Sequence, residues 1–228
     1  MPAKFNYLSV ELSKSLKDAV TDASEDGNVY SRIQREGYLN SAMQRLFNTA
    51  WSLSIGSDET KFEIFSRLMP DLIKIYENIT PMTSPTRIDL TNKQDVFKII
   101  SIFDKTGNKY LTQIPQDKYL IAVSRFNLNY QFDVNRPAYS VFNDYVNIIP
   151  SNYPANQMDM LYIKRPMTSS GNFYSYNGVE DIPFSPNYYT YILEIAKAMA
   201  MFESNEISYA QMLYQINFTE LQLMRERR

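Results

Sequence analysis

The spacing of apolar residues changes twice along this 228-residue chain and divides it into three blocks. Within residues 38–55 the apolar side chains recur every three or four positions, which is the period of a helix with one buried face. Residues 96–103 are instead β-branched and aromatic, as is typical of a strand. Helical spacing returns after Ser185. This order predicts an α+β fold in which N- and C-terminal helical hairpins form a helix bundle, with a small antiparallel β insert between them.

The N-terminal block, residues 1–78, is predicted to be helical. Ser9 is expected to cap a short helix whose apolar face holds Leu12, Leu16, Ala19 and Val20. The helix at 38–55 has the apolar stripe Leu39, Met43, Leu46, Ala50 and Leu53. A third helix is predicted from the spacing of Phe62, Phe65, Met69, Leu72 and Tyr76. Pro70 should kink or split it near Leu68, because proline lacks the amide hydrogen that a helix interior needs.

The middle block, residues 79–183, is predicted to be the β insert. Asp104–Asn108 follows the strand at 96–103 and has the composition of a hairpin turn, and a short helix is expected from Pro115 to about Phe126. Residues 138–142 and 145–150 predict a second hairpin around Asn143 and Asp144. A further strand is predicted over 158–165, ended by Pro166.

The C-terminal block, residues 184–228, is predicted to be a helical hairpin that packs with 37–78 as one bundle. Ser185 is a candidate N-cap, with Pro186 at the first helical position. The first apolar stripe is Tyr188, Ile192, Ile195, Met199 and Phe202. The second stripe is Ile207, Ala210, Tyr214, Phe218, Leu221 and Met224, and it is followed by a basic end.

Composition moves the expected function away from catalysis. The chain has no cysteine and no histidine, so it lacks thiolate chemistry and the commonest general base and metal ligand. We therefore predict no enzyme activity, no cofactor and no metal. The motif Asp104-x-x-Gly107 is interpreted as an ordinary turn, because it lacks the alternating carboxylates of a calcium loop. The carboxylates of Asp144 and Asp159, and of Glu180 and Asp181, are interpreted as solvated charges.

Charge and hydropathy give two further expectations. The net charge is only −2, from 23 basic and 25 acidic residues, which argues against a protein that coats nucleic acid. No apolar run is long enough for a membrane span, and the polar start has no signal-peptide core, so we expect synthesis in a cytoplasm and no membrane partner. The 18 tyrosines and 13 phenylalanines are interpreted as core and subunit contacts in preference to a stacking platform.

Three segments carry a resemblance to a known family. Arg136–Tyr139, Tyr145–Pro150 and Met160–Pro166 stand in that order, and Pro183–Pro186 then begins a helix. This series, together with the order of the blocks, resembles phage head–tail connector proteins. The family is the tail tubular protein A, or adaptor, family of short-tailed phages, including the ring proteins of crAss-like phages.

The resemblance implies a structural virion protein without catalytic residues, assembled in the host bacterial cytoplasm and placed at the head–tail junction. It implies a ring of 12 copies between the portal protein and adjoining tail or ring proteins, with a channel through which double-stranded DNA passes without specific binding. The portal contact would be Tyr214, Phe218, Leu221, Met224, Arg225, Arg227 and Arg228. Contacts with neighbouring subunits or the next ring would be Tyr139, Tyr145, Tyr153, Tyr162, Arg165 and Tyr174.

Two alternatives remain open from the sequence. The Tyr- and Asn-rich segments 151–157 and 171–178 are compatible with a carbohydrate- or receptor-binding β module of a phage tail. A histidine-free enzyme is also possible, and it would need two carboxylates that converge in a deep pocket.

Overall fold

The computed structural model describes residues 5–19, 30–54, 58–93, 95–124, 131–154, 156–166 and 181–203, with the single positions Gln211, Gln215 and Thr219. Within these residues there are five α-helices and eight β-strands. In chain order they are α1 Phe5–Ala19, α2 Arg32–Leu53, α3 Asp58–Leu68, β1 Ile73–Ile79, β2 Arg87–Asp89, β3 Val96–Asp104, β4 Lys109–Tyr110, β5 Thr112–Gln113, α4 Tyr119–Ser124, β6 Ala138–Phe142, β7 Tyr145–Ile149, β8 Met158–Lys164 and α5 Tyr189–Glu203.

The chain divides into two compact units. Met1–Leu72 and Pro166–Arg228 form the first, which we call the helical unit. Ile73–Arg165 form the second, which we call the β unit. The β unit is therefore inserted, in the order of the chain, between two parts of the helical unit.

Helix α2 begins earlier than its apolar stripe indicates. The Ser31 hydroxyl accepts a hydrogen bond from the Gln34 amide at 3.2 Å, and the Gln34 side chain accepts one from the Ser31 amide at 2.8 Å. This reciprocal pair satisfies two amides at the helix start, which lack partners within the helix. The predicted stripe is confirmed, since Leu39, Met43, Leu46, Ala50 and Leu53 are all buried.

The core of the helical unit lies between α1, α2 and α5. Each of these helices buries a stripe of apolar side chains at helical spacing, such as Phe5, Leu8 and Leu12 of α1. Two tyrosine hydroxyls fix distant parts of this unit to one another. Tyr30 donates to the carbonyl of Ala200 at 2.9 Å, and Tyr188 donates to the carbonyl of Leu68.

The β unit contains two four-stranded sheets. In the first the strand order is β1-β8-β3-β4, and all pairs are antiparallel. In the second the order is β2-β7-β6-β5, in which only the short β5–β6 pair is parallel. One hydrophobic cluster draws on both sheets, so the sheets share a core; its largest members include Tyr139, Met158, Met160 and Tyr162.

The predicted fold class is wrong. The chain is α+β, but it is not a helix bundle with a small β insert, because the β unit holds two complete sheets. Part of the error lies at residues 73–78, which we predicted to continue the third helix. Helix α3 ends at Leu68, a 3₁₀ turn follows over Pro70–Leu72, and Ile73 begins β1. Pro70 ends the helix, and pairing with β8 makes the following residues a strand.

A second local prediction is also wrong. Ser9 does not cap a helix but is buried inside α1, which already begins at Phe5. Ser185 makes no side-chain capping bond, although Pro186 does begin the 3₁₀ turn that leads into α5. The second helix of the predicted C-terminal hairpin, residues 207–224, lies outside the described residues apart from the positions already named.

Other predictions for the β unit are confirmed. Val96–Asp104 is a strand and joins β4 through a turn at 105–108. β6 and β7 form the predicted hairpin, with a two-residue turn in which Asn143 has a φ of 49°. Left-handed backbone of this kind is tolerated by asparagine better than by most residues.

Candidate functional site

Three tyrosines that were predicted to contact other subunits lie instead in the core of the β unit. Tyr139, Tyr153 and Tyr162 are buried, with exposed fractions of 0%, 3% and 5%. Tyr139 donates to the side chain of Gln113 at 3.3 Å, and burial raises its pKa. Burial and the nearby Asp95 raise the pKa of Tyr162 to about 12. These three side chains are not available to another protein, so their assignment as contact residues is wrong.

The remaining predicted contact residues fall into two groups. Tyr145 and Arg165 are half-buried and lie against other side chains of the β unit. The Arg87 guanidinium stands 4.2 Å from the centre of the Tyr145 ring, and that of Arg165 stands 5.6 Å from the Phe97 ring. Tyr174 and the predicted portal contacts, Tyr214, Phe218, Leu221, Met224, Arg225, Arg227 and Arg228, lie outside the described residues.

Asp104 organises the turn that the sequence analysis interpreted as structural. Its side chain is buried at the end of β3. One carboxylate oxygen accepts the amides of Thr106 and Gly107, each at 2.9 Å. The other accepts the Tyr153 hydroxyl and the Asn156 side chain, the latter at 3.1 Å. We call this set the Asp104 network. It fixes Tyr153 and Asn156 to the β3–β4 turn.

The electrostatics of Asp104 follow from these contacts. Burial opposes ionisation of the carboxyl group, but the hydrogen bonds that its oxygens accept, led by the Gly107 amide, outweigh burial and lower its pKa. Burial, together with Asp104 itself, raises the pKa of Tyr153, which therefore remains a donor. Both oxygens are engaged by donors of the protein, so the turn has the chemistry of a structural anchor.

The carboxylates that were considered for catalysis do not converge in the described structure. Asp159 accepts the Asn78 amide at 2.9 Å and lies 3.5 Å from the Lys105 ammonium. Asp144 is exposed in the β6–β7 turn, in the other sheet. Asp181 is exposed, and Glu180 is outside the described residues. Among the residues that the structure describes, no group of three or more acidic side chains could hold a metal ion.

A cleft of about 620 Å³ lies in the helical unit. Its described lining includes Arg45 from α2, Ile195, Met199, Phe202 and Glu203 from α5, and Gln211. Glu203 accepts a hydrogen bond from the Tyr38 hydroxyl. Burial, and then Glu203, raise the pKa of Tyr38. Since Glu203 is the one carboxylate among the described lining residues, this part of the cleft lacks the carboxylate pair of a glycosidase.

The most unusual surface feature of the β unit is α4. Its Leu120 is 77% exposed, Val123 is 42% exposed and Ile121 is 37% exposed. Only Ala122 of this helix is fully buried, in a small cluster with Phe132 and other residues. A patch of three partly exposed aliphatic side chains is small, and small exposed apolar patches are common on protein surfaces. The sequence analysis predicted this helix but assigned no contact to it, although the run Leu120-Ile121-Ala122-Val123 was visible.

Comparison of the chain with protein-family models finds no match, and comparison with curated proteins finds none that is significantly similar. None of the described helices is long and apolar enough to cross a membrane. For the receptor-binding alternative, Tyr153 is buried in the core, and segment 171–178 lies outside the described residues. The 151–157 segment therefore presents no exposed tyrosine to a carbohydrate or receptor.

Proposed function

We propose that this chain is a structural subunit of a ring at the head–tail junction of a phage, between the portal and the tail. The observation that carries the proposal is the insertion of the β unit, Ile73–Arg165, between two parts of the helical unit. That order is the one implied by the resemblance to connector proteins. The segments that carry the resemblance contain or lead into β6, β7, β8 and α5.

The charge balance supports a passive conduit for DNA. A wall that bound phosphates tightly would hold DNA in transit, and tight phosphate binding needs a basic excess. This chain has a net charge of −2. Several of its basic side chains are paired with acids of the same helix, as in the 2.7 Å contact between Arg32 and Glu36. Transient passage of double-stranded DNA is compatible with such a surface.

The proposal is tested by mixing the purified chain with the portal protein of the same phage. Native mass spectrometry and negative-stain imaging should show a ring of this chain, with 12 copies expected, bound to the portal. The portal serves as a template, so a monomer in its absence is compatible with the proposal. A chain that stays monomeric and does not bind the portal contradicts it.

Two triple variants in which basic residues are replaced by acidic ones test the predicted portal contact. Arg225→Glu, Arg227→Glu and Arg228→Glu in one chain should weaken portal binding at least tenfold. The matched control reverses three exposed basic residues of the helical unit, Lys14, Arg32 and Arg67. These make surface pairs with acids of their own helices, which contribute little to stability. If both triple variants bind the portal equally well, the predicted portal contact at Arg225, Arg227 and Arg228 is contradicted.

A further inference from the structure

Three polar side chains meet at one end of the first sheet of the β unit. The side-chain nitrogen of Lys105 donates a hydrogen bond to Oδ1 of Asn78 at 2.8 Å. One carboxylate oxygen of Asp159 lies 3.5 Å from the same nitrogen, and the other accepts the Asn78 backbone amide at 2.9 Å. An amine, a carboxamide and a carboxylate are thus adjacent to one another. We call this set the Lys105 cluster.

The order of the strands explains why these three residues meet. β8 lies between β1 and β3. Asn78 belongs to β1, Asp159 belongs to β8, and Lys105 directly follows the end of β3. The cluster therefore runs across three neighbouring strands, although Asn78 and Lys105 are 27 positions apart in the chain. A covalent bond between these two side chains would join β1 to β3 across β8.

The backbone holds both Asn78 and Lys105 in place. The pairing of β1 with β8 is irregular between Tyr76 and Ile79, and within this irregularity Asn78 has a φ of 55°. Bulges in a strand re-aim a side chain and are over-represented next to active sites. The backbone amide of Lys105 donates to the Gln157 carbonyl at 3.0 Å, which fixes the start of the β3–β4 turn.

The contacts within the Lys105 cluster are those that amide exchange requires. The hydrogen bond from Nζ to Oδ1 also brings Nζ close to Cγ of Asn78, the carbon that carries this oxygen. Reacting groups held about 3–3.5 Å apart react as if one were present at about 10⁵–10⁸ M. A carboxylate that accepts the proton of the amine and returns it to the leaving nitrogen contributes a further factor of about 10²–10⁴.

We propose that Lys105 and Asn78 form an intramolecular amide bond, with Asp159 as the proton carrier. The neutral amine of Lys105 attacks Cγ of Asn78, so that a Cγ–Nζ bond forms and the Cγ–Nδ2 bond breaks. Asp159 takes one proton from Nζ and gives it to Nδ2, which leaves as ammonia. No atom is oxidised or reduced, and no co-reactant is needed. This modification goes beyond the proposed ring function and does not depend on it.

Mass spectrometry of the full chain tests the proposal. The purified protein is incubated at about pH 9, because a larger fraction of lysine side chains is neutral there than at about pH 7. Attack by the amine releases one ammonia, so the intact mass should fall by about 17 Da. Trypsin should then release one species in which peptides 75–87 and 99–109 are joined, since it does not cleave after an acylated lysine. Absence of this joined species overturns the proposal.

Lys105→Arg is the matched control for the bond itself. The variant keeps the positive charge, but the guanidinium stays protonated and does not attack an amide, so joined peptides should be absent. Asparagine can also lose ammonia by cyclising on its own backbone. A loss of about 17 Da that is equal in the control, and that occurs without joined peptides, therefore contradicts the proposal.

Asp159→Asn tests the proton carrier. The new side-chain oxygen can still accept the Asn78 amide, so the substitution removes the proton acceptor and keeps the position of Asn78. Far-ultraviolet circular dichroism should be unchanged, whereas the joined peptides should form at least tenfold more slowly than in the wild type. An unchanged rate of joining contradicts the role of Asp159.

Discussion

Removal of the Asp104 side chain should destabilise the β unit by about 3 kcal/mol. Asp104→Ala leaves the buried Tyr153 hydroxyl without its acceptor, and an unsatisfied buried donor costs about 1–3 kcal/mol. The amides of Thr106 and Gly107 lose the other carboxylate oxygen as their acceptor, but these two residues are exposed, so water can replace part of that interaction. Tyr153→Phe removes one hydrogen bond to a charged group and should cost about 1.5 kcal/mol.

The two substitutions together give a sharper result than either alone. Because Asp104 and Tyr153 share one hydrogen bond, the double variant should be about 1 kcal/mol more stable than the sum of the single effects predicts. Urea unfolding followed by far-ultraviolet circular dichroism measures the free energy of unfolding. Fluorescence of Trp51, the one tryptophan, reports α2 in the helical unit.

The control and the refuting outcome are both defined by the structure. Tyr110→Phe changes a tyrosine that is 68% exposed and should alter the free energy of unfolding by less than about 0.5 kcal/mol. Additive effects of Asp104→Ala and Tyr153→Phe, within about 0.3 kcal/mol, would show that the Asp104 network does not act as a unit.

Three further predictions concern single positions. Hydrogen bonds lower the pKa of Asp104 in the folded protein, so its stabilising contribution is complete above the ordinary carboxyl pKa of about 3.9 and is lost as the pH falls through its lower pKa in the folded protein. Acid unfolding curves of the wild type and Asp104→Asn should therefore converge at low pH. Gly107→Ala places a Cβ 2.5 Å from an Asp104 carboxylate oxygen, so it should lower the free energy of unfolding by about 1–2 kcal/mol in a urea titration, and an unchanged midpoint would contradict this steric argument. Ser31→Ala removes the capping bond of α2 and should cost about 1 kcal/mol with faster amide hydrogen exchange in its first turn, whereas Ser52→Ala, at an exposed position of the same helix, should leave that turn unchanged.

The elements that were predicted correctly are those with a strong local signal. The stripe from Leu39 to Leu53 repeats for four turns, so its helical period is unmistakable, and the β6–β7 hairpin combines two β-rich runs with a polar two-residue turn. Four strands were missed: β1, which was predicted to be helical, and β2, β4 and β5, which are two or three residues long. A strand of this length has no measurable period, and only its partner strand makes it a strand.

For the candidate contact residues, too, the sequence showed the residue type but not whether the side chain is buried or exposed. Tyrosine is common both in cores and at interfaces, because one end of its side chain is apolar and the other is polar. The sequence therefore could not tell the buried Tyr139 and Tyr162 from surface tyrosines. The exposure of Leu120 was equally hidden, since an aliphatic residue in a short helix is usually expected to face the core.

The order of residues alone determined where this chain is helical over long stretches, where its main hairpins turn, and that histidine and cysteine chemistry is absent. These properties depend on neighbours within a few positions, or on composition. Tertiary structure decided that Ile73–Ile79 is a strand, that Tyr153 anchors a buried carboxylate and that α4 faces outward. Each of these depends on residues far away in the chain: β1 needs β8, Tyr153 needs Asp104, and the exposed face of α4 depends on which elements the fold places beside it.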